Sequence, residues 1–153
     1  METKRQRIVT KILEAVQGIS TASGYETDIG ANCDDWRTNW QEDELPGTSV
    51  CDQTAEYIEN LSEDHIDYFR LPVQIRTSIS SGTRAAEARK IEADILKALR
   101  PLAGGIADAD GKIASDIQVR RSGFVLAEDA FTVVAVAVEV EVTFYTERFN
   151  AYQ

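Results

Sequence analysis

The sequence predicts an α+β sandwich: one mostly antiparallel sheet of about four to five strands, with two helices packed on one of its faces. Three observations predict it. Two segments repeat apolar residues every three or four positions, the spacing of one helical face. Several others alternate with the period of two that marks a half-buried strand. Their order, α, β, β, β, α, β, β, gathers strands into runs instead of alternating them strictly with helices. A chain of 153 residues is the size of one ordinary domain, so 1–153 is read as a single unit.

The first helix carries Ile8, Ile12, Ala15, Val16 and Ile19 on one face and Lys4, Arg5, Arg7, Lys11 and Glu14 on the other. Gly18 and Gly24 mark its end and the turn that follows. Between Gly24 and Gly47 the chain is rich in Gly, Asp, Asn and Glu, with Trp36 and Trp40 embedded. A short strand over 31–37 and then a long exposed loop are expected there. Residues 48–58 alternate as a strand whose buried face is ambiguous. In 68–80, Phe69, Leu71, Val73, Ile75 and Ile79 share a face opposite Arg70, Gln74, Arg76 and Ser78. Pro72 cannot donate a ladder hydrogen bond, so the strand should be at an edge or at its start near that position.

Thr83 is the expected N-cap of the second helix, whose apolar face is Ala88, Ile91, Ile95, Ala98, Leu99 and Leu102 and whose end is set by Pro101 and Gly104-Gly105. Ile113, Ile117 and Val119 then suggest a strand continuing, with an irregularity at Ser122-Gly123, into Phe124. A hairpin turn at 127–130 leads to the last strand.

That last strand, 131–146, is the most informative segment. One face reads Thr132, Val134, Val136, Val138, Val140, Val142 and Phe144; the other reads Phe131, Val133, Ala135 and Ala137, then Glu139, Glu141, Thr143 and Tyr145. At about 3.3 Å per residue the strand runs roughly 50 Å, against a diameter of roughly 40 Å for a compact chain of this length. It is therefore expected to reach or pass the edge of the body and to want a neighbour, as a self-assembling subunit would supply. Val133, Ala135 and Ala137 should be covered on both sides, and Glu139 and Glu141 should face water or a lumen.

Composition narrows the function classes. Hydrophobic residues make up 43% and charged residues 27%, as in a folded protein. The 26 acidic against 16 basic side chains give a net charge of -10, which disfavours sequence-specific binding to phosphate backbones. No apolar run is long enough to span a bilayer, and the N-terminus lacks the apolar core of a signal peptide, so a soluble protein made in a cytoplasm is expected. Cys33 and Cys51 lack the paired spacing of a zinc or redox motif and are read as reduced, partly buried thiols.

Catalytic chemistry has few candidates. His65, the sole histidine, lies in a polar segment and is read as exposed and uncatalytic. The clusters Asp34-Asp35 and Glu42-Asp43-Glu44 lack the rhythm of a calcium loop and are read as solvated. No phosphate-cradling glycine pattern follows a strand. Glu139 and Glu141 could pose as a carboxylate pair, but cross-strand pairing with Arg70 or Arg76, or simple exposure, is the better reading. No catalytic residue, metal or cofactor is expected. A small hydrolase or ligand-binding module using Asp34, Asp35 and Trp36 is the competing reading.

Several strings resemble the tail terminator (tail completion, minor tail protein U-like) proteins of tailed bacteriophages and prophages. They are Arg5-Gln6-Arg7-Ile8-Val9 with Ile12-Leu13, Gly24-Tyr25-Glu26-Thr27-Asp28-Ile29-Gly30, Glu42-Asp43-Glu44-Leu45-Pro46, Ala88-Arg89-Lys90-Ile91-Glu92-Ala93-Asp94-Ile95 and the final strand. The resemblance covers most of the chain and implies a structural subunit of the virion, assembled in the bacterial host cytoplasm. It implies a homo-oligomer, a six-membered ring, on the head-proximal end of the tail tube, which stops tube polymerisation and presents a surface to the head-tail connector. Its implied partners are copies of itself, the tail tube protein and the connector protein, with no sequence-specific nucleic acid and no membrane. A neck or connector component is the alternative within the same class. Trp36, Trp40, Val133, Ala135 and Ala137 are the expected interface residues, and a lumen that passes DNA would suit Glu139 and Glu141.

Overall fold

The computed structural model of the chain describes residues 1–126 and 133–153, with the backbone alone for Leu126 and Val133. Its elements run α1 (Lys4–Gln17), β1 (Cys33–Asp35), β2 (Gly47–Asp52), β3 (Glu56–Tyr57), β4 (Ile66–Ser78), α2 (Ala85–Leu99), β5 (Ile106–Asp108), β6 (Gly111–Ala114), β7 (Asp116–Leu126) and β8 (Val133–Glu147). A six-stranded sheet has the order β1-β2-β4-β8-β7, with β3 also on β4, while β5 and β6 form a separate hairpin. β1 pairs with β2 in parallel and the other pairings are antiparallel. The α+β architecture is the expected one. The sheet is larger than expected because 48–58 forms two strands, β2 and β3, with a break between them. The expected turn at 127–130 and the strand start at Phe131 and Thr132 lie outside the described residues, as does the side chain of Val133.

Both helices lie against one face. Ile8, Val9, Ile12 and Val16 of α1 and Ala88, Ile91, Ile95, Ala98 and Leu99 of α2 meet Val50, Leu71, Val73 and Ile75 of the central strands and Val136, Val138, Val140, Val142 and Phe144 of β8 in a single core. Burying each of the larger of these side chains contributes roughly 1.5 to 3 kcal/mol. The polar face of α1 is less exposed than its sequence suggests. Lys4 is 6% exposed, donates from Nζ to the Tyr145 carbonyl at 2.9 Å and sits 4.4 Å from that residue's ring centroid. Arg5 pairs with Asp52 and Arg7 with Asp108, tying α1 to β2 and to the β5-β6 hairpin. Thr3 caps α1 by accepting from the Gln6 amide at 3.1 Å. Thr83, the expected cap of α2, lies one position too early: Arg84 is the N-cap, and the Thr83 hydroxyl bonds Ser80 at 3.2 Å instead.

The long C-terminal strand does not project. β8 spans 15 residues, but β4 pairs with it from Ile66↔Glu147 to Ser78↔Ala135 and β7 pairs along its other side from Asp116↔Thr143 to Leu126↔Val133. It is an interior strand between two long neighbours, and its length is matched within the chain. Pro72 also sits within this paired region. Its carbonyl accepts from the Gln53 amide at 2.8 Å, on the side of β2. Because N and C=O of one strand residue point the same way, its missing donor falls where the chain leaves β2, and no ladder bond to β8 is lost.

Candidate functional site

The face of the sheet away from the helices carries Arg70, Pro72, Gln74 and Arg76 from β4 opposite Thr143, Glu141, Glu139 and Ala137 from β8. β7 contributes Gln118 opposite Glu141 and Arg121 opposite Glu139, with a bulge between Val119 and Arg121. The bulge turns two consecutive arginines to this face. Arg120 pairs with Glu141, Arg70 approaches the same carboxylate at 3.8 Å, and Arg121 reaches Glu139 at 3.9 Å. The expected pairing of Glu141 with Arg70 is present, while Arg76 makes no such pair among the described residues. The two glutamates do not form an acidic patch, because they lie among four arginines. Their suitability for a phosphate-repelling lumen therefore loses its premise.

Further along the same side of β8, Ala135 is 0% exposed although it lies outside the main core. It sits in register between Ser78 and Val125. Ala137, beside Gly123 and Arg76, is half-buried. Covering on both sides thus holds for Ala135 and only partly for Ala137. The sheet irregularity expected at Ser122-Gly123 falls on either side of it: those two residues pair regularly, and the register shifts between Val119 and Arg121 and again between Val125 and Leu126.

The β1 end of the sheet is built from the acidic loop. Expected as a strand over 31–37, it is a strand only at Cys33–Asp35, because Trp36 takes a left-handed backbone with φ 58°. A side chain there costs on the order of 1 to 2 kcal/mol. Trp36 is held by its amide to the Val50 carbonyl at 3.0 Å and by its indole Nε1 to Asp52 Oδ1 at 2.6 Å, yet remains 55% exposed. Trp40 behaves differently. Its indole lies over Gly47, where an added Cβ would come within 2.1 Å of the ring, and its Nε1 donates to Ser49 Oγ at 3.1 Å. Arg37 stacks on that ring at 4.1 Å and is anchored by Glu44 at 2.5 Å and Asp34 at 3.5 Å. Trp40 therefore closes its own chain over β2, whereas Trp36 faces outward. The expected interface residues Trp36, Trp40, Ala135 and Ala137 lie in two separate places: the tryptophans at the β1 end, the alanines between β4 and β7.

The remaining chemistry is sparse. Burial, with a smaller contribution from Asp34, pushes the Cys33 thiol up to about 12. Burial together with Asp35 and Asp52 raises that of Cys51. Both cysteines are free, and both are held as thiols, the poorly nucleophilic form. Asp34 serves Arg37, and Asp35 lies near Asp52. His65 is exposed, and its carbonyl accepts the Arg148 amide at 2.9 Å. Among the described residues no three His, Cys, Asp or Glu side chains are grouped to hold a metal ion, and no helix is long and apolar enough to cross a membrane. The surface clefts are open, with volumes of about 500 to 750 Å³.

A scan of the sequence against known protein-family models finds no match, and no curated protein sequence matches it either.

Two features were not foreseen. Asp94, 3% exposed on α2, accepts from the Thr27 amide at 2.8 Å, the Thr27 hydroxyl at 2.7 Å and the Glu26 amide at 3.1 Å, clamping the loop before β1 onto the helix. The other is the edge strand β7, 11 residues long, which among the described residues has a strand neighbour on one side only. Val119, Phe124 and Val125 are exposed along it.

Proposed function

We propose that the chain is a structural subunit of a phage or prophage tail, which adds to the finished end of the tail tube, ends its polymerisation and offers the joining surface to the head, acting as a ring and not as an enzyme. The observation that carries this reading is β7, a long edge strand with exposed apolar side chains and, among the described residues, one open side. Edges of that kind are usually shortened, covered or paired, and protein contact is the use that fits one left open. The pattern of strings shared with tail terminators supplies the context. Capping follows from a subunit with one surface for the terminal ring of the tube and no equivalent surface for the next ring.

The test is tube length. Purified tail tube protein is polymerised with and without the chain, and lengths are measured by electron microscopy. Tubes that stop short in proportion to added chain are expected; an unchanged length distribution sinks the reading. Deletion in a producing phage separates the alternative, since overlong tails follow loss of a terminator and normal-length, headless tails follow loss of a connector.

A further inference from the structure

We infer that the chain carries a small-molecule site independent of tube capping: an apolar cleft beside the start of α1 that takes a neutral, flat aromatic ring bearing a hydroxyl. The cleft lies on the helix face of the sheet, at the end where Asp67 pairs with Thr146 and Phe69 with Phe144. Its volume is about 500 Å³, within the range of clefts that hold small ligands. Phe69 and Phe144 form its wall, with 5.5 Å between ring centroids and 25° between ring planes. Ala55 and Phe149 complete the apolar lining. Walls of this kind favour a further aromatic ring, which can add offset or edge contacts to the area it buries.

Thr146 supplies the polar contact. It is 8% exposed, and buried hydroxyls normally have a partner, yet its own makes no hydrogen bond to any described residue. Among those residues no side-chain oxygen is both sealed from solvent and unpaired, so the Thr146 oxygen opens onto the surface it lines, the cleft. Covering that oxygen with a purely apolar ligand would cost its hydration, whereas a ligand hydroxyl can donate to it or accept from it. The charged groups of the cleft are already committed. Arg5 pairs with Asp52 and donates to the Gln53 carbonyl at 2.7 Å, and Asp67 pairs with Arg148 at 3.2 Å. A neutral ligand leaves these pairs intact.

Phe149 stands at the mouth, 99% exposed and at φ 60°, a left-handed backbone that a bulky side chain rarely adopts. Single exposed apolar residues are ordinary, but this one is fastened on both sides. The Arg148 amide donates to the His65 carbonyl at 2.9 Å, and the Ala151 carbonyl accepts the Lys4 amide at 2.9 Å. Backbone strain persists where the surroundings impose it, and ligand clamps are among the places it gathers. A ring seated against Phe144 gives the Phe149 side chain the apolar contact it otherwise lacks.

The test is an NMR titration of the full chain with phenol, with benzene as the ring without the hydroxyl and cyclohexanol as the hydroxyl without the flat ring. Phenol should shift the signals of Phe69, Phe144 and Thr146 saturably. It should bind more tightly than cyclohexanol and about three- to tenfold more tightly than benzene, the worth of one hydrogen bond. Thr146→Val should melt no lower than wild type, because it removes an unpaired hydroxyl, and should erase the difference between phenol and benzene; Thr146→Ser should keep it. Phe149→Gly should melt no lower either, since glycine takes φ 60° freely, and should weaken both aromatic ligands about threefold or more. No saturable shift at the cleft, cyclohexanol or benzene bound as well as phenol, a difference that survives Thr146→Val, or ligands indifferent to Phe149→Gly would each overturn the site. So would cleft signals that move when the chain is diluted without ligand, because a second copy would then be the occupant.

Discussion

At one end of the sheet, β1 is three residues long and its outward carbonyl is occupied by a helix side chain; at the other, β7 runs for 11 residues with one side open among the described residues. The β1 end is fastened from several directions. Asp94 clamps the preceding loop, Gln17 reaches the strand, and Trp40, Arg37 and Glu44 close the following loop over β2. Among the described residues the β7 end is held by β8, by Ile117 in the core and by the Ser122 hydroxyl bond to Glu92 of α2. Strand length and exposure thus belong to different strands. β8 is the longest and most apolar, but it is buried between neighbours. The hazard of an open edge falls on β7, which has a bulge and two arginines where a plain strand would aggregate.

Substitutions at the fastened places should cost stability, and those at the open edge should not. The largest loss is expected for Ala135→Glu, which places a carboxylate where no solvent reaches, at a cost on the order of 3 kcal/mol or more. Half-buried Ala137→Glu should cost less, since Arg76 lies beside it. Equal losses in urea denaturation would show that the two alanines share one environment. Gly30→Ala comes next. A Cβ there would lie 2.4 Å from the Gln17 carbonyl oxygen and 2.7 Å from those of Val16 and Ile19. Backbone cannot yield as a flexible side chain does, so a loss of about 2 to 4 kcal/mol is expected in the same measurement. Asp94→Ala should cost about 2 to 3 kcal/mol by leaving the Thr27 and Glu26 amides without their acceptor. Asp94→Asn should recover part of it, and an Ala variant as stable as wild type would mean the clamp carries nothing.

How much of this was legible in the sequence depended on the distance over which each feature is made. The helix faces and both faces of β8 follow from local period: Val136, Val138, Val140 and Val142 are buried as their alternation requires. Glu141 with Arg70 could be anticipated because both belong to well-marked strands. The order of strands is absent from any period, so β8 was expected to project when β4 and β7 enclose it. Asp94 carries no signal of its role in the helix period, because its partners Glu26 and Thr27 lie in a loop far back in the chain. Trp36 and Trp40 are the same residue type four positions apart, and only the left-handed backbone at Trp36 sends one outward while the other packs on Gly47.

The smallest expected effects lie in two carboxylates of the fastened end, and they have opposite signs. Arg37 bonding holds the Glu44 carboxyl below its usual range, so its contribution is present above the unfolded value of about 4.3 and is lost as pH falls through the lowered one. Asp35, though exposed, is shifted the other way, first by partial loss of hydration and then by the Asp52 charge. A carboxyl whose folded value is raised favours the fold while protonated and weakens it as pH rises through that value. Asp35→Asn should therefore leave the protein as stable as wild type or more so at pH 7. Solvent screening at this exposed site limits the gain to a few tenths of a kcal/mol, and it should shrink below about pH 4. Glu44→Gln should show the reverse, a deficit at pH 7 that narrows in acid. Thermal melts of the two variants from pH 3 to 8 would read both slopes. Parallel curves would mean that neither lost hydration nor the Asp52 charge raises the Asp35 carboxyl, and that the two carboxylates beside Trp36 titrate alike in their effect on the fold.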